Sequence, residues 1–179
     1  MKAAALARRF AGTLFRAHNP RWAFAPTSGA GAARFGGRFN RPGLPALYTS
    51  LTPKTAWMEA QQGFPFKAQP LTLIAYRVDC AAIVDLTRPE VTAALGVDGP
   101  TLACPWEDLA SRGQPPPTWG LADGLVAAGY QGALVPSFAP GTDPGDLNLV
   151  LWAWSDDAPC RVEVVDDFGR LPRDDASWR

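Results

Sequence analysis

The sequence predicts a single α+β domain, with a mixed central sheet and short flanking helices. Its 179 residues suit one domain, and they contain no internal repeat and no linker. Strand-like segments alternate irregularly with short helical segments, and the connections are too short for repeated β-α-β crossovers. Hydrophobic residues make up 47% and charged residues 19%, the balance of an ordinary soluble globular protein. We expect a core at about 13–166 and a polar, frayed tail at 167–179.

The individual elements follow from runs of apolar residues and from the residues that end them. Strands are predicted at 14–16, 34–39, 46–50, 71–78, 83–86, 132–136, 148–152 and 162–165. Helices are predicted at 1–9, 54–62, 89–95 and 119–128, with one helical turn near 107–110. Loops rich in proline, glycine or serine fill 19–31 and most of 98–117.

Capping residues set the predicted helix boundaries. Thr52 is a suitable N-cap, and Pro53 fits the first helical position, where its missing N–H costs nothing. Thr118 is the expected N-cap of the last helix. A glycine is expected to end each of the three longer helices, at Gly63, Gly96 and Gly129.

The charge balance argues against several classes of protein. Seventeen basic and seventeen acidic residues cancel, whereas a nucleic-acid binder needs a basic face to neutralise phosphates. No apolar stretch approaches the roughly 18–20 residues that span a bilayer. The basic N-terminus lacks the long apolar core and the cleavage site of a signal peptide. We therefore expect no nucleic-acid partner and no membrane partner.

The cysteines and the single histidine limit the chemistry further. Cys80, Cys104 and Cys160 are odd in number and widely spaced, so we expect neither a zinc site nor a disulfide framework. We expect a cytoplasmic location. No Gly-x-Ser-x-Gly nucleophile elbow is present, which disfavours a hydrolytic triad built on His18. His18 is instead expected to end a strand and to hydrogen-bond a nearby loop.

Three residues near one another in the sequence form the candidate site. Gly36 and Gly37 allow a tight turn or close approach to a ligand. Arg38 follows between two phenylalanines, so its guanidinium is expected to emerge from an apolar wall, unless it is a plain surface arginine. Tyr48 lies on the next strand, as a ligand contact or as a core residue. This pattern favours binding of an anion and a polar ligand.

Glu59 lies in the middle of a helix face that is otherwise made of small residues. A carboxylate on a packed face needs a partner because its desolvation is costly. Either Glu59 forms a structural ion pair with a nearby arginine, or it points into a site, and the spacing leaves both interpretations open. Trp106 and Trp119, in the proline-rich region, are the best candidates for an exposed partner surface.

Together these segments resemble the RES domain, the toxin half of bacterial RES–Xre toxin–antitoxin pairs. The resemblance runs from 15–16 through 34–40, 46–50 and 56–59, and more weakly through 84–86, 132–137 and 148–151. It covers most of the chain, and it implies catalytic roles for Arg38, Glu59 and Ser137, with Tyr48 accompanying them. From composition alone, Ser137 is equally well a strand-end cap.

The resemblance implies a fold similar to ADP-ribosylating toxins and an activity that consumes NAD⁺ without a metal. The bond between nicotinamide and ribose would break, and ADP-ribose would pass to a protein, to water or to phosphate, with a protein narrowly preferred. The implied partner is an Xre-type antitoxin that covers the pocket mouth. The resemblance also allows a homodimer within that complex.

The chemistry of NAD⁺ suits the singled-out residues. Arg38 can bind the pyrophosphate by bidentate hydrogen bonds, with Arg16 and Arg34 nearby in the sequence. Tyr48 can stack on the nicotinamide. Glu59 can hold a ribose hydroxyl, stabilise positive charge on the ribose or orient the nucleophile. Ser137 can hydrogen-bond the nicotinamide amide or a phosphate.

Two hypotheses from other classes remain at this point. The chain could be a non-enzymatic module that binds a nucleotide or a partner on the same scaffold. It could also be an RNA-cleaving toxin, although the neutral charge and the lack of a second histidine weaken that hypothesis. Release of free nicotinamide from NAD⁺ separates the NAD⁺-consuming toxin from both.

Overall fold

The computed structural model describes residues 6–61 and 69–178, which form one mixed sheet flanked by short helices. The strands are β1 (Ala7–His18), β2 (Leu47–Ser50), β3 (Thr72–Asp85), β4 (Gly132–Pro136), β5 (Leu147–Leu151) and β6 (Cys160–Val164). The helices are α1 (Ala30–Phe35), α2 (Pro53–Ala60), α3 (Pro89–Leu95), α4 (Gly99–Leu102), α5 (Trp106–Ser111) and α6 (Pro117–Ala127). Short 3₁₀ turns lie at Pro20–Trp22 and Ala176–Trp178. The predicted α+β class is confirmed.

The sheet has the strand order β1-β2-β5-β4-β3-β6, and β1 also pairs with β3. This extra pairing closes β1, β2, β5, β4 and β3 into a barrel-like ring, with β6 added along β3. Only the β3–β4 pairing is parallel among these strands. β2 and β5 lie side by side with Tyr48 opposite Val150 and Ser50 opposite Asn148, which brings distant parts of the sequence to one point.

Side chains alternate between two buried layers along the strands. The buried residues of one layer, here called the ring layer, all lie on strands and include Leu14, Tyr76 and Leu149. The other layer joins Val135 and Val150 to side chains from α3, α4 and α6. Because Asn148 alternates with Leu149 along β5, its side chain lies on the same helix-covered face as Val150.

Several predicted elements are confirmed. β4 and α3 have the predicted bounds, and Gly96, which directly follows α3, adopts a left-handed φ of 66°. α2 begins as predicted, with Thr52 Oγ1 accepting a hydrogen bond from Thr55 N and with Pro53 in the first turn. Its predicted end at 62 and Gly63 lies outside the described residues.

Three predictions near the N-terminus and in the centre are wrong. Residues 7–9 belong to β1 rather than to a leading helix, because they continue the pairing with β3 and ion pairs join Arg8 to Asp85 and Arg9 to Asp79. The predicted strand at 34–39 is the end of α1 followed by a tight turn, which begins where Gly36 takes a φ of 77°. The strands predicted at 71–78 and 83–86 are the single strand β3.

The proline-rich region is more ordered than predicted. α4 and α5 occupy much of 98–117, and Asp98 caps α4 by accepting a hydrogen bond from Thr101 N. Thr118 is not a cap but a fully buried residue inside α6, which begins after Pro116. In the polar tail, Leu171 packs against the ring layer, and its N–H donates to Asp166, so this part is docked rather than frayed.

The prediction that the cysteines form no disulfide framework is wrong for two of the three. Cys80 and Cys160 lie directly opposite each other on β3 and β6 and are joined by a disulfide, although they are 80 residues apart in the sequence. Cys104 is a free, buried thiol. Across 6–61 and 69–178, no helix is long and apolar enough to cross a membrane, and no group of three metal-ligating side chains comes together.

Candidate active site

A cavity of about 390 Å³ lies on the helix-covered face of the sheet, within the range of about 300–1,000 Å³ that small-molecule sites occupy. Its walls come from the end of β1, α1, the turn at 36–40, β2, α2, and the neighbouring ends of β4 and β5. Arg38, Tyr48 and Glu59, which are 21 residues apart at most in the sequence, all border it. The structure therefore brings the three residues singled out from the sequence to one cavity.

The turn at 36–40 is built around the hydroxyl group of Tyr48. Phe39 N donates a hydrogen bond to Tyr48 Oη at 2.9 Å, and Tyr48 Oη donates to Asn40 Oδ1 at 2.8 Å. Only glycine fits at Gly37, because a Cβ there would lie 2.5 Å from Tyr48 Oη. Burial raises the pKa of Tyr48, so the hydroxyl stays protonated and the turn stays fixed.

Arg38 is held by contacts on two sides. Its Nη1 donates to Leu102 O at 3.2 Å and to Cys104 O at 2.5 Å, and its guanidinium carbon lies 4.4 Å from the centre of the Phe138 ring. Burial lowers the pKa of Arg38, opposed by the nearby Cys104 and Glu59, but an arginine remains charged in this setting. A fixed, partly buried cation thus borders the cavity.

Glu59 is held by one donor from β5 and by another from the residue that directly follows β4. Ser137 Oγ and Asn148 Nδ2 each donate to Glu59 Oε1 at 2.5 Å. Asn148 is itself oriented, since Ser50 Oγ donates to its Oδ1 at 2.7 Å. Glu59 borders the cavity, and its role in a site stays a prediction. Two donors on one carboxylate oxygen fix the plane of the group.

Ser137 lies beside the carboxylate of Glu59, and the role that the resemblance implies for it stays a prediction. It follows β4 directly and contacts Glu59, but it is not part of the cavity wall. Sequence reasoning missed Ser50 and Asn148, which do border the cavity. A buried asparagine within the otherwise apolar strand at 147–151 was the available signal, because buried polar groups need partners.

The other basic residues have separate positions. Arg16 borders the cavity, but its Nη1 donates to the carbonyls of Pro26 and Ser28 at 3.3 and 3.1 Å. Arg34 is exposed and lies over the ring of Phe35 rather than at the cavity. His18 ends β1 as predicted, yet its buried Nε2 has no hydrogen-bond partner within 6–61 and 69–178, so the expected bond from this atom to a loop is not found there.

The two tryptophans proposed as a partner surface are partly buried instead. Trp106 forms part of the cavity wall, and Trp119 Nε1 donates to Gly37 O at 2.8 Å, which braces the turn. The exposed aromatic side chain beside the cavity is Phe35, with 72% of its surface accessible. The prediction of an exposed surface at Trp106 and Trp119 is therefore wrong.

This chain is similar to several known proteins. NAD(+) phosphorylase MbcT from Mycobacterium tuberculosis and MbcT from Mycobacterium bovis are each 33% identical to this chain over an alignment of 135 residues. The matches cover 68% of this chain and 72% of each relative. The fold is similar to a chain in the crystal structure of the M. tuberculosis MbcT-MbcA toxin-antitoxin complex, with a TM-score of 0.59, 23% identity, and coverage of 92% of this chain and 87% of that one. Residues 13–174 match the family described as the RES domain. This chain belongs to the RES domain family.

Proposed function

We propose that this chain is the toxin of a toxin–antitoxin pair and that it cleaves the nicotinamide–ribose bond of NAD⁺ in the cavity described above. The observation that carries the proposal is the carboxylate of Glu59, fixed by two hydrogen bonds at the wall of a cavity that also carries Arg38. The name of the mycobacterial relatives, NAD(+) phosphorylase, supports NAD⁺ as the substrate.

The proposed chemistry resembles cleavage of a glycosidic bond. As nicotinamide leaves, it takes the electron pair of its bond to the ribose, and the ribose gains the character of an oxocarbenium ion. A carboxylate that is already oriented stabilises this positive charge without reorganising during the reaction. Ser137 and Asn148 supply that orientation by holding Glu59 Oε1.

NAD⁺ binding is assigned to the other wall residues. Arg38 attracts the negatively charged phosphates, and because its Nη1 is held by two carbonyls, the guanidinium is fixed before the ligand arrives. The hydroxyl of Tyr48 is engaged in the turn, so its ring is the part that stacks on nicotinamide. Arg16 is a second candidate for a phosphate ligand, because it borders the cavity and its Nη1 is likewise held by two carbonyls, those of Pro26 and Ser28.

Phosphate is the proposed acceptor of ADP-ribose. Attack by a phosphate oxygen on the ribose carbon gives phosphorylated ADP-ribose and free nicotinamide. Attack by water gives ADP-ribose, and attack by a protein side chain gives a modified protein, with the same bond broken in each case. The sequence resemblance narrowly favoured a protein acceptor, whereas the name of the relatives supports phosphate.

The test is to incubate the purified protein with adenylate-labelled NAD⁺, with and without phosphate, and then to measure nicotinamide and follow the label. We expect nicotinamide release that rises with phosphate concentration, and label in phosphorylated ADP-ribose. Label in free ADP-ribose alone would indicate a glycohydrolase, and a labelled band in a cell lysate would indicate a protein acceptor. Absence of nicotinamide release would refute the proposal and favour a non-enzymatic binding module.

The proposed partner is an Xre-type antitoxin that covers the cavity mouth. The fold similarity to a chain of a toxin–antitoxin complex supports a partner, and the exposed ring of Phe35 beside the cavity supports docking there. Addition of the purified cognate antitoxin should stop nicotinamide release in proportion to the complex formed. Full activity of the saturated complex would contradict a partner at the mouth. A homodimer of this chain within that complex remains a prediction.

A further inference from the structure

Asp146 contacts the elements that carry Glu59 and its two donors. It is a nearly buried residue, with 7% of its surface exposed, in the loop between β4 and β5. Its Oδ1 accepts a hydrogen bond from Thr55 Oγ1 at 2.6 Å, and its Oδ2 accepts one from Asp143 N at 2.8 Å. Its main-chain oxygen accepts a hydrogen bond from Ser137 N at 2.8 Å. Asp146 thus joins α2 to the chain segment that follows β4.

Thr55 and Glu59 lie one helical turn apart, so both side chains lie on the same face of α2. Thr55 is fully buried, and its hydrogen bond to Asp146 fixes the start of α2 relative to the loop. Two residues after Asp146, Asn148 donates to Glu59. The helix with the acceptor and the two segments with the donors therefore meet at Asp146.

We propose that Asp146 and Thr55 are positioning residues that set the distance from Glu59 to Ser137 and Asn148. For its catalytic meaning this inference rests on the proposed function. Both donors bind the same oxygen of Glu59, so a displacement of α2 by about 1 Å lengthens both bonds beyond the usual hydrogen-bond range. A displacement of about 1 Å in an active site can cost on the order of 10²-fold in rate.

The first test replaces Thr55 by valine, which keeps the shape and removes the hydroxyl. We expect kcat for nicotinamide release to fall by about tenfold, with the KM for NAD⁺ changed by less than about twofold. Thr55→Ser, which keeps the hydroxyl, should restore most of the rate. Thr92→Val is the matched control, because it removes a hydroxyl from α3, which does not border the cavity.

Asp146→Asn should act in the same direction. An amide has one oxygen, whereas Asp146 accepts from Thr55 with one oxygen and from Asp143 N with the other. One of these two donors is therefore left without its acceptor. A fall in kcat that is equal for Thr55→Val and Thr92→Val, or an Asp146→Asn variant with wild-type kcat, would overturn the inference.

A double-mutant cycle separates positioning from a purely structural role. If Thr55 acts through Glu59, Thr55→Val should lower kcat in the wild type but not in Glu59→Gln. Equal effects in both backgrounds would overturn the inference.

A crystal structure of Thr55→Val tests the same inference without an activity measurement. This test can therefore be made even if the wild type releases no nicotinamide and the proposed function fails. We expect at least one of the two bonds to Glu59 to lengthen beyond about 3.5 Å. Both bonds remaining at their present length would contradict the inference.

Discussion

Replacing Glu59 by glutamine removes one negative charge from the cavity wall while keeping the size of the side chain. The carbonyl oxygen of glutamine can still accept hydrogen bonds from Ser137 and Asn148, so the fold should persist. Exchange of a charged acceptor for a neutral one weakens these bonds by about 1 kcal/mol, which lowers Tm by about 2–4 °C in a protein of this size. The variant thus tests the charge rather than the packing.

The size of the effect follows from the position of the carboxylate. A negative and a positive charge about 4 Å apart attract each other by about 4 kcal/mol at an effective dielectric constant of about 20. Because Glu59 is partly exposed, solvent screens its charge, and the transition-state stabilisation lost in Glu59→Gln should be smaller than this figure. Losses of preorganised charge stabilisation commonly cost about 10²–10³-fold in rate. We therefore expect kcat for nicotinamide release to fall by about 10²-fold or more.

The assay is steady-state release of nicotinamide from NAD⁺ by the purified wild type and Glu59→Gln, with Tm measured for both. The KM for NAD⁺ should change little, because the stabilisation of positive charge is realised mainly in the transition state. A folded variant with wild-type kcat would refute this reasoning and make Glu59 a structural residue. An effect confined to KM would mean that Glu59 contributes to binding alone.

Three further predictions concern Arg38, His18 and the disulfide. In the Glu59→Gln background, Arg38→Ala should weaken NAD⁺ binding by at least about tenfold in a calorimetric titration, since a charge-assisted bond is lost; unchanged affinity would remove Arg38 from the site. Burial and the nearby Arg16 lower the pKa of His18 to about 4 in the folded protein. Between pH 6.5 and about 4 the imidazole is therefore protonated in the unfolded chain but neutral in the folded protein. The free energy of unfolding should fall as the pH is lowered through this range. Denaturant titrations across this range should show that His18→Phe removes part of the slope, and an unchanged slope would contradict the assignment. Cys160→Ala should lower stability by about 4 kcal/mol and Tm by at least about 8 °C, because the disulfide with Cys80 closes a long loop; an equal Tm in thermal melts of the oxidised wild type and the variant would contradict this.

Local signals in the sequence were sufficient for several elements. β4 was predicted with its bounds, because a buried apolar run lies between a glycine and a proline. The start of α2 followed from Thr52 and Pro53, whose capping roles depend only on neighbouring residues. Arg38, Tyr48 and Glu59 were singled out because each stands in a distinctive local context.

Features that depend on the pairing of residues far apart in the sequence could not be predicted from the sequence. The closure of the ring depends on β1 pairing with β3, and the disulfide depends on the register of β3 and β6. Asn148 contacts Glu59 only because β2 and β5 lie side by side, although 89 residues separate the two in the sequence. The alanines at the start of the chain favour a helix locally, but residues 7–9 belong to a strand because β1 pairs with β3.

The most direct test of the central claim is a crystal structure of Glu59→Gln with NAD⁺ bound. We predict that NAD⁺ occupies the cavity between the turn at 36–40, β2 and α2, with one of its phosphates bound to the Arg38 guanidinium. The nicotinamide ribose should lie about 3–3.5 Å from the side chain at position 59. NAD⁺ bound elsewhere on the protein, or bound with its nicotinamide ribose remote from that side chain, would contradict the account.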